Sequence, residues 1–249
     1  MFTDTHCHIL EEEYDNYDKI LSNFKKNNIK RIIINGYNLS SNKEVMQLID
    51  KYPNVYGAIG IHPNYIEDNK VNTIEFIKKN INHPKIIAVG EIGLDYYRNS
   101  ENKTEQIEVF KEMLELAKLN NKPIIIHNRN ATNDILTILK TKKLKGIMHS
   151  FSGSIETAIE YIKLGYKLGI NGIITFKNSN LSEVISKISL DDILLETDSP
   201  YLTPEPIRKE RNQPANLIYI AKKISEIHLV DLERLSQRLE NNFLKIFDI

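Results

Sequence analysis

The stretch KPIIIHNR, residues 122–129, indicates how the rest of the chain is built. Its three consecutive isoleucines leave no polar face, which is typical of a strand covered on both sides, as in a parallel sheet. A histidine follows the isoleucines directly, so a metal-seeking side chain stands where the strand ends. The stretch therefore predicts a buried parallel strand with a polar group at its carboxyl end.

Seven further apolar runs alternate with amphipathic stretches of helical periodicity. Together they predict strands at residues 2–5, 30–36, 55–63, 85–95, 122–129, 144–153, 166–170 and 192–202. A helix follows each strand, and helices at about 213–226 and 231–246 complete the chain. Eight such units in 249 residues amount to roughly thirty residues each, the usual size in a (β/α)₈ TIM barrel. We expect residues 1–249 to form one barrel domain.

A doubly wound open sheet is the alternative α/β architecture for this alternation of strands and helices. Its dinucleotide-binding form carries a G-x-G-x-x-G turn after the first strand, and this sequence has none there. The barrel is therefore favoured.

The composition is that of an ordinary globular protein. Apolar residues make up 41% of the chain, which is enough for a substantial core. Lys plus Arg equals Asp plus Glu at 33 each, so the formal net charge is zero. Affinity for a polyanion such as a nucleic acid would therefore depend on local charge.

Cysteine content and apolar runs bear on location. The single cysteine, Cys7, cannot form an intramolecular disulfide, which fits a reducing compartment. No run of about 18 apolar residues is present, and the N-terminus lacks a basic-then-apolar export signal. We predict a cytoplasmic protein that does not engage a membrane, and no obligate protein partner is evident.

Metal-seeking side chains recur at the carboxyl ends of the predicted strands. The set is His6, His8, His62, Glu91, His127, His149 and Asp198. In a barrel these ends converge on one mouth, where barrel enzymes carry their chemistry. Five of the seven histidines of the chain belong to this set, so we expect a shared site.

Strand alternation explains the triplet His6-Cys7-His8. His6 and His8 project to the same side of the strand and can bind one divalent ion together, whereas Cys7 projects towards the helices. A lone strand-end histidine is more often structural, and Asp198 alone could cap a turn. The convergence of these side chains on one mouth favours a metal-binding role, because so many ionisable groups in one cavity require either bound cations or strongly shifted pKa values.

The number of these groups indicates two metal ions. One catalytic metal typically takes three protein ligands and water, fewer than this set offers. Two ions about 3.5–4 Å apart and bridged by a carboxylate fit the count. Mixed imidazole and carboxylate ligation suits Zn²⁺ or Mn²⁺ and tolerates Mg²⁺.

Eight sequence blocks resemble the TatD family of metal-dependent deoxyribonucleases, within the amidohydrolase-like barrel superfamily. The blocks are DTHCH (4–8), GIHP (60–63), VGEIGLDYY (89–97), HNRNATNDIL (127–136), HSFSG (149–153), GIITFKN (172–178), ETDSPYLTP (196–204) and RNQP (211–214). They run nearly end to end in the expected order. Ser150 stands where many relatives have cysteine, and Asn171 lies in a less typical segment, but no ligand position is lost.

The resemblance implies a role for each site residue. His6, His8 and Asp198 would hold one metal, His127 and His149 the second, and Glu91 would bridge the two. His62 would contact the substrate phosphate. The resemblance therefore implies a hydrolase that binds two divalent cations per chain, Mg²⁺, Mn²⁺ or Zn²⁺.

The reaction implied is hydrolysis of phosphodiesters in DNA, most plausibly from the 3′ end of a single strand. Water activated by two metals would attack phosphorus, with Asp198 and Glu91 as the catalytic carboxylates. Arg129, Arg211 and Tyr96 follow strand ends and are expected to bind the polyanion and its bases.

Two other functions remain open on the sequence. A metal-dependent ester or amide hydrolase, such as a D-aminoacyl-tRNA deacylase, would use the same fold and ligands. A non-catalytic metal-binding scaffold would retain the ligands without turnover. Assays on single-stranded DNA and on D-aminoacyl-tRNA would separate these alternatives.

Overall fold

The computed structural model describes residues 1–66, 70–247 and 249. Its strands are β1 Phe2–Cys7, β2 Ile29–Asn35, β3 Val55–Ile59, β4 Ile86–Asp95, β5 Ile124–Arg129, β6 Gly146–Met148, β7 Tyr166–Ile170 and β8 Ile193–Leu195. Its α-helices are α1 Tyr17–Asn23, α2 Leu39–Lys51, α3 Lys70–Asn80, α4 Lys103–Leu119, α5 Thr132–Leu139, α6 Ile155–Lys163, α7 Leu181–Ser186, α8 Leu217–His228 and α9 Leu232–Ile246. Within the described ranges, none of these helices is long and apolar enough to cross a membrane.

The eight strands form one parallel sheet in which spatial order follows sequence order from β1 to β8. A helix follows every strand, because a parallel neighbour can be reached only through a crossover connection. The predicted (β/α)₈ barrel is confirmed. All carboxyl ends of the strands consequently open at the same mouth.

Three strands are shorter than the sequence predicts. β6 ends at Met148 and β8 at Leu195, whereas the apolar runs predicted strands to residues 153 and 202. Ser150 (φ 50°) and Asp198 (φ 55°) adopt left-handed backbone conformations, which interrupt a regular ladder. β3 ends at Ile59, and Pro63, which has no N–H, begins a short 3₁₀ turn.

β1 and β8 meet along a seam that is closed differently from the other strand pairs. A single parallel bridge joins Cys7 to Ser199. The backbone N–H of His8 donates to Ser199 O (2.7 Å), and that of Asp198 donates to His6 O (2.9 Å). The buried side chain of Asp4 adds two bonds: its Oδ1 accepts from Thr197 N at 2.9 Å, and its Oδ2 shares a hydrogen bond with Thr197 Oγ1 at 2.5 Å. The seam is therefore formed by two segments, one that carries His6 and His8 and one that carries Asp198.

Asp4→Asn is expected to change how stability depends on pH. Burial, which outweighs the hydrogen bonds from Thr197, raises the pKa of Asp4 from 3.8 to about 8. Between these values the folded chain binds a proton that the unfolded chain has lost, so this group makes stability fall as pH rises from about 4 to 8. Asparagine resembles the protonated acid and removes that slope.

The measurement for Asp4→Asn is the thermal midpoint of both proteins, with chelator present, from pH 4 to 9. The thermal midpoint of the variant minus that of the wild type should increase steadily up to about pH 8. Above pH 8 this difference should stay constant. Parallel curves over the whole interval would contradict a buried, protonated Asp4.

The barrel interior contains its own apolar cluster, distinct from the cluster that lies between the sheet and the surrounding helices. One apolar cluster combines inward strand residues with the end of α9, and its members are Ile33, Ala58, Ile87, Ala88, Ile125, Ile147, Leu194, Phe243, Ile246 and Phe247. Helix α9 lies across the amino-terminal ends of the strands, where Arg31 stacks over the Phe243 ring (4.5 Å) and pairs with Glu240 (2.8 Å). The barrel floor is thus sealed by aromatic side chains, and the polar groups occupy the opposite end.

Candidate metal centre

The structure brings all seven predicted polar residues to the mouth of the barrel. His6, Glu91 and His127 lie within β1, β4 and β5. His8, His62, His149 and Asp198 follow the ends of β1, β3, β6 and β8 within a few residues. The backbones of β4 and β5 approach closely here, because a Cβ at Gly93 would lie 1.9 Å from His127 O. Only glycine permits that approach.

Glu91 occupies the centre of the site, and its two oxygens face different imidazoles. Oε2 lies 3.4 Å from His6 Nε2 and 3.5 Å from His8 Nε2. Oε1 lies 3.0 Å from His127 Nδ1 and 3.9 Å from His149 Nε2. One buried carboxylate therefore stands between two pairs of histidines.

Asp198 completes the group on the side of Oε2. Its Oδ1 lies 3.7 Å from both His6 Nε2 and His8 Nε2, which are 3.1 Å from each other. It also lies 3.6 Å from His149 Nε2. Two imidazole nitrogens and a carboxylate oxygen thus converge within ligand distance of a common point.

The ring nitrogens that face away from the site indicate which nitrogen is free to bind metal. His8 Nδ1 lies 2.9 Å from Asn35 O, an acceptor, so Nδ1 carries the proton and Nε2 presents a lone pair. His127 contacts Asp95 Oδ2 through Nε2 (3.2 Å), which leaves Nδ1 free. His149 Nδ1 lies 2.9 Å from Glu196 Oε1, which leaves Nε2 free. In its neutral form, each of the three rings directs the nitrogen without a proton into the site.

His62 has the opposite arrangement. Its Nδ1 accepts from the backbone N–H of Asn64 (3.1 Å), so the neutral ring carries its proton on Nε2. Nε2 lies 3.5 Å from Glu91 Oε1 and therefore presents an N–H to the site. His62, Glu91 and His127 do have ligand atoms at metal-site spacing, but a protonated nitrogen cannot ligate. We therefore place His62 among the hydrogen-bond donors.

Burial and mutual charge shift the pKa values of these groups in different directions. Burial lowers the pKa of His6 and of His62 to about 3. Burial acts to lower that of His149 too, but Glu196 and Asp198 outweigh it and raise the value to about 10. Burial raises the pKa of Asp198 to about 6. Burial acts to raise the pKa of Glu91, but its contacts with His62, His6 and His127 outweigh burial and hold that pKa well below the usual range.

The residues fit the binding of divalent cations. His6, His8 and Asp198 offer one ligand atom each within 4.8 Å of one another, and Glu91 adjoins them. His6 Nδ1, on the far side of its ring, makes no hydrogen bond in the described part of the chain. Four imidazoles and two acids with this mixed N/O chemistry are typical of Zn²⁺ or Mn²⁺ ligation. The proton on His149 would be released on binding.

The predicted substrate-binding residues lie on the rim with different surroundings. Arg129 is exposed and stacks at 3.8 Å over the ring of Tyr97. Arg211 stacks at 4.9 Å over Tyr14 and pairs with an acid, Glu13 Oε2, at 3.2 Å.

Tyr96 is engaged within the protein. Its hydroxyl donates to Asp134 Oδ2 (2.7 Å), and the Lys103 ammonium lies 4.5 Å from its ring centroid. Tyr97 is 64% exposed and is the more accessible of the two neighbouring rings. The sequence prediction named Tyr96 and not Tyr97 as a substrate-binding residue.

Two carboxylates at the site, Asp95 and Glu196, were not selected from the sequence. They are 1% and 0% exposed and contact His127 and His149 from behind. The predicted strands 85–95 and 192–202 offered a parity signal, since Asp95 follows Glu91 by four residues and Glu196 precedes Asp198 by two. Residues of equal parity on a strand share a side.

Comparison with known proteins gives consistent results. The model of the TatD related DNase family matches residues 3–248. The uncharacterized metal-dependent hydrolase YabD of Bacillus subtilis is 39% identical, and the match covers 100% of both chains. The crystal structure of the TatD homolog YjjV from Escherichia coli superimposes with a TM-score of 0.93 at 29% identity, covering 100% of this chain and 98% of that one. A TatD family hydrolase from Entamoeba histolytica shares the fold at TM-score 0.86.

Proposed function

The chain belongs to the TatD-related DNase family of metal-dependent hydrolases, and from this we propose that it cleaves phosphodiester bonds in DNA, from the 3′ end of a single strand. The observation that carries the proposal is the position of Glu91, whose two oxygens face separate pairs of imidazoles. A carboxylate so placed suits two cations that act on one phosphate.

We assign the ligands in two sets. His6, His8 and Asp198 would hold one cation, His127 and His149 would hold the other, and Glu91 would adjoin both sets. When bound, the cations supply charge neutralisation at the phosphoryl oxygens and make water a stronger nucleophile. The protein fixes the position of each donor in a largely buried cavity, where electrostatic effects are strong.

Asp198 is the group best placed to move a proton. Its side chain is 13% exposed, against 4% for Glu91, so it is the site carboxylate nearer the solvent. A carboxylate in this position can take up a proton and return it within one reaction. We assign it to accept the proton of the attacking water and to return it to the leaving oxygen.

Donors around the cavity would bind the rest of the substrate. His62 presents its Nε2–H next to Glu91 and is assigned to a phosphoryl oxygen. Arg129, preorganised on the Tyr97 ring, is assigned to a backbone phosphate beyond it. Arg211 and Tyr96 stay assigned to the polynucleotide, with Tyr96 at the edge of the strand because its hydroxyl is bound to Asp134.

Location in the cytoplasm is part of the same proposal. It is supported by the single cysteine, Cys7, which is buried and whose thiol donates to Ile33 O at 3.4 Å. A free buried thiol fits a reducing compartment.

Removal of metal is expected to abolish activity reversibly. The purified chain should shorten a 5′-labelled single-stranded oligonucleotide, lose this activity in chelator, and recover it with Mn²⁺, Mg²⁺ or Zn²⁺. Metal content measured on the same samples should approach two ions per chain. The control is an inert oligonucleotide blocked at its 3′ end.

Two outcomes would contradict the proposal. Release of the amino acid from D-aminoacyl-tRNA, without cleavage of DNA, would move the chain to ester hydrolysis at the same site. Full metal content with no turnover on either substrate would indicate a binding scaffold.

A further inference from the structure

The histidines that face Glu91 Oε1 share a feature that the other pair lacks. His127 Nε2 lies 3.2 Å from Asp95 Oδ2, and His149 Nδ1 lies 2.9 Å from Glu196 Oε1. Each ring is thus backed by a buried carboxylate on the side away from the site. The first contact is a hydrogen bond, whereas the second is a close ion-pair contact without linear alignment.

Both carboxylates are fixed by the backbone and by amide side chains. Asp95 Oδ1 accepts from Tyr97 N (3.1 Å) and Arg98 N (3.0 Å), which leaves Oδ2 for His127. Glu196 Oε1 accepts from Ser150 N (2.8 Å) and from Asn171 Nδ2 (3.2 Å). These bonds hold the carboxylates in place whether or not the imidazoles are bound to anything.

The other pair of histidines is backed more weakly. His8 Nδ1 meets a neutral carbonyl, Asn35 O, at 2.9 Å. His6 Nδ1 has no hydrogen-bond partner among residues 1–66, 70–247 and 249. A carboxylate behind an imidazole fixes its tautomer and makes the opposite nitrogen a stronger metal donor than a carbonyl does.

We propose that Asp95 and Glu196 are positioning residues that hold His127 and His149 in opposite tautomers, and that the cation site beside these histidines is therefore the tighter of the two. The inference rests on metal binding and not on which bond is hydrolysed. The carboxylates touch neither cation nor substrate in this assignment, and they act through the imidazoles.

The test is a titration of the chelator-treated full chain with Co²⁺, followed by calorimetry and by the visible absorption of the bound ion. The wild type should bind two ions in two resolved steps. Asp95→Asn and Glu196→Gln, which preserve shape and remove charge, should each weaken the first step by about 10–100-fold. The second step should stay within about twofold.

Glu240→Gln is the matched control, because Glu240 is a carboxylate paired with Arg31 at the opposite end of the barrel. It should leave both steps at wild-type values. Equal weakening of both steps by Asp95→Asn and Glu196→Gln, or no weakening of either, would overturn the proposal. A variant is compared with the wild type only if the two proteins have the same thermal midpoint in chelator, which shows that the variant is folded.

A second measurement does not depend on any variant. Long-range ¹H–¹⁵N spectra of the histidine rings in the wild type, free of metal and at high pH, should show His127 protonated on Nε2 and His149 on Nδ1. The reverse tautomer at either ring would refute the assignment. DNA cleavage enters neither measurement, so failure of the proposed function would leave this result unaffected.

Discussion

Glu91→Gln is expected to slow phosphodiester hydrolysis at least about 10³-fold, equivalent to roughly 4 kcal/mol of transition-state stabilisation. Glutamine has one oxygen, so it cannot serve both pairs of imidazoles, which lie on opposite oxygens of Glu91. It also removes the negative charge that balances two cations. Initial rates on a labelled oligonucleotide and on a small chromogenic phosphodiester, at saturating Mn²⁺, would measure the loss.

The control for this prediction is again Glu240→Gln, which should keep wild-type rates on both substrates. The metal content of each protein must be determined on the same samples, because reduced metal occupancy would account for part of the loss in rate. A Glu91→Gln protein that turned over either substrate at the wild-type rate would show that Glu91 is not the joining carboxylate.

Phe243→Ala is expected to lower the free energy of unfolding by about 3–5 kcal/mol, the usual cost of truncating a buried phenylalanine. Phe243 is 0% exposed, packs on Phe247 with ring centroids 4.7 Å apart, and closes the barrel floor. In a chain of this size the thermal midpoint should fall by roughly 6–20 °C. Urea unfolding and thermal scans at fixed metal concentration would measure both quantities.

Leu244→Ala provides the comparison on the same helix. Leu244 is 44% exposed, so its truncation should cost under about 1 kcal/mol. Equal losses in the two variants would show that burial of the Phe243 ring in the barrel floor does not determine the cost of truncation.

The sequence predicted the barrel well because its main signal is local. Apolar runs, each followed by a helical period, are sufficient to indicate alternating strands and helices, and the strand ends indicated where polar residues would meet. The ends of β6 and β8 were overestimated, because the left-handed conformations of Ser150 and Asp198 are not encoded in hydrophobic pattern. The backbone conformations of these two residues depend on the contacts that their loops make with other segments at the mouth of the barrel.

The remaining features depend on contacts between distant segments. A helix was predicted at 231–246, yet nothing in its periodicity indicates that Phe243 enters the barrel interior. Asp95 and Glu196 were missed for a related reason, since parity indicates the side of a strand on which a carboxylate lies but not that it contacts a histidine from behind. The opposite hydrogen bonding of His62 likewise required its contact with Asn64 N.

The seam between β1 and β8 has a consequence for how the protein is made. His8 is translated 190 residues before its partner Asp198, a delay of roughly 10–40 s at translation rates of about 5–20 residues per second. During that interval the first two imidazoles have no enclosing pocket. Ion capture at that pair therefore has to wait until Asp198 has been translated, and it coincides with closure of the barrel.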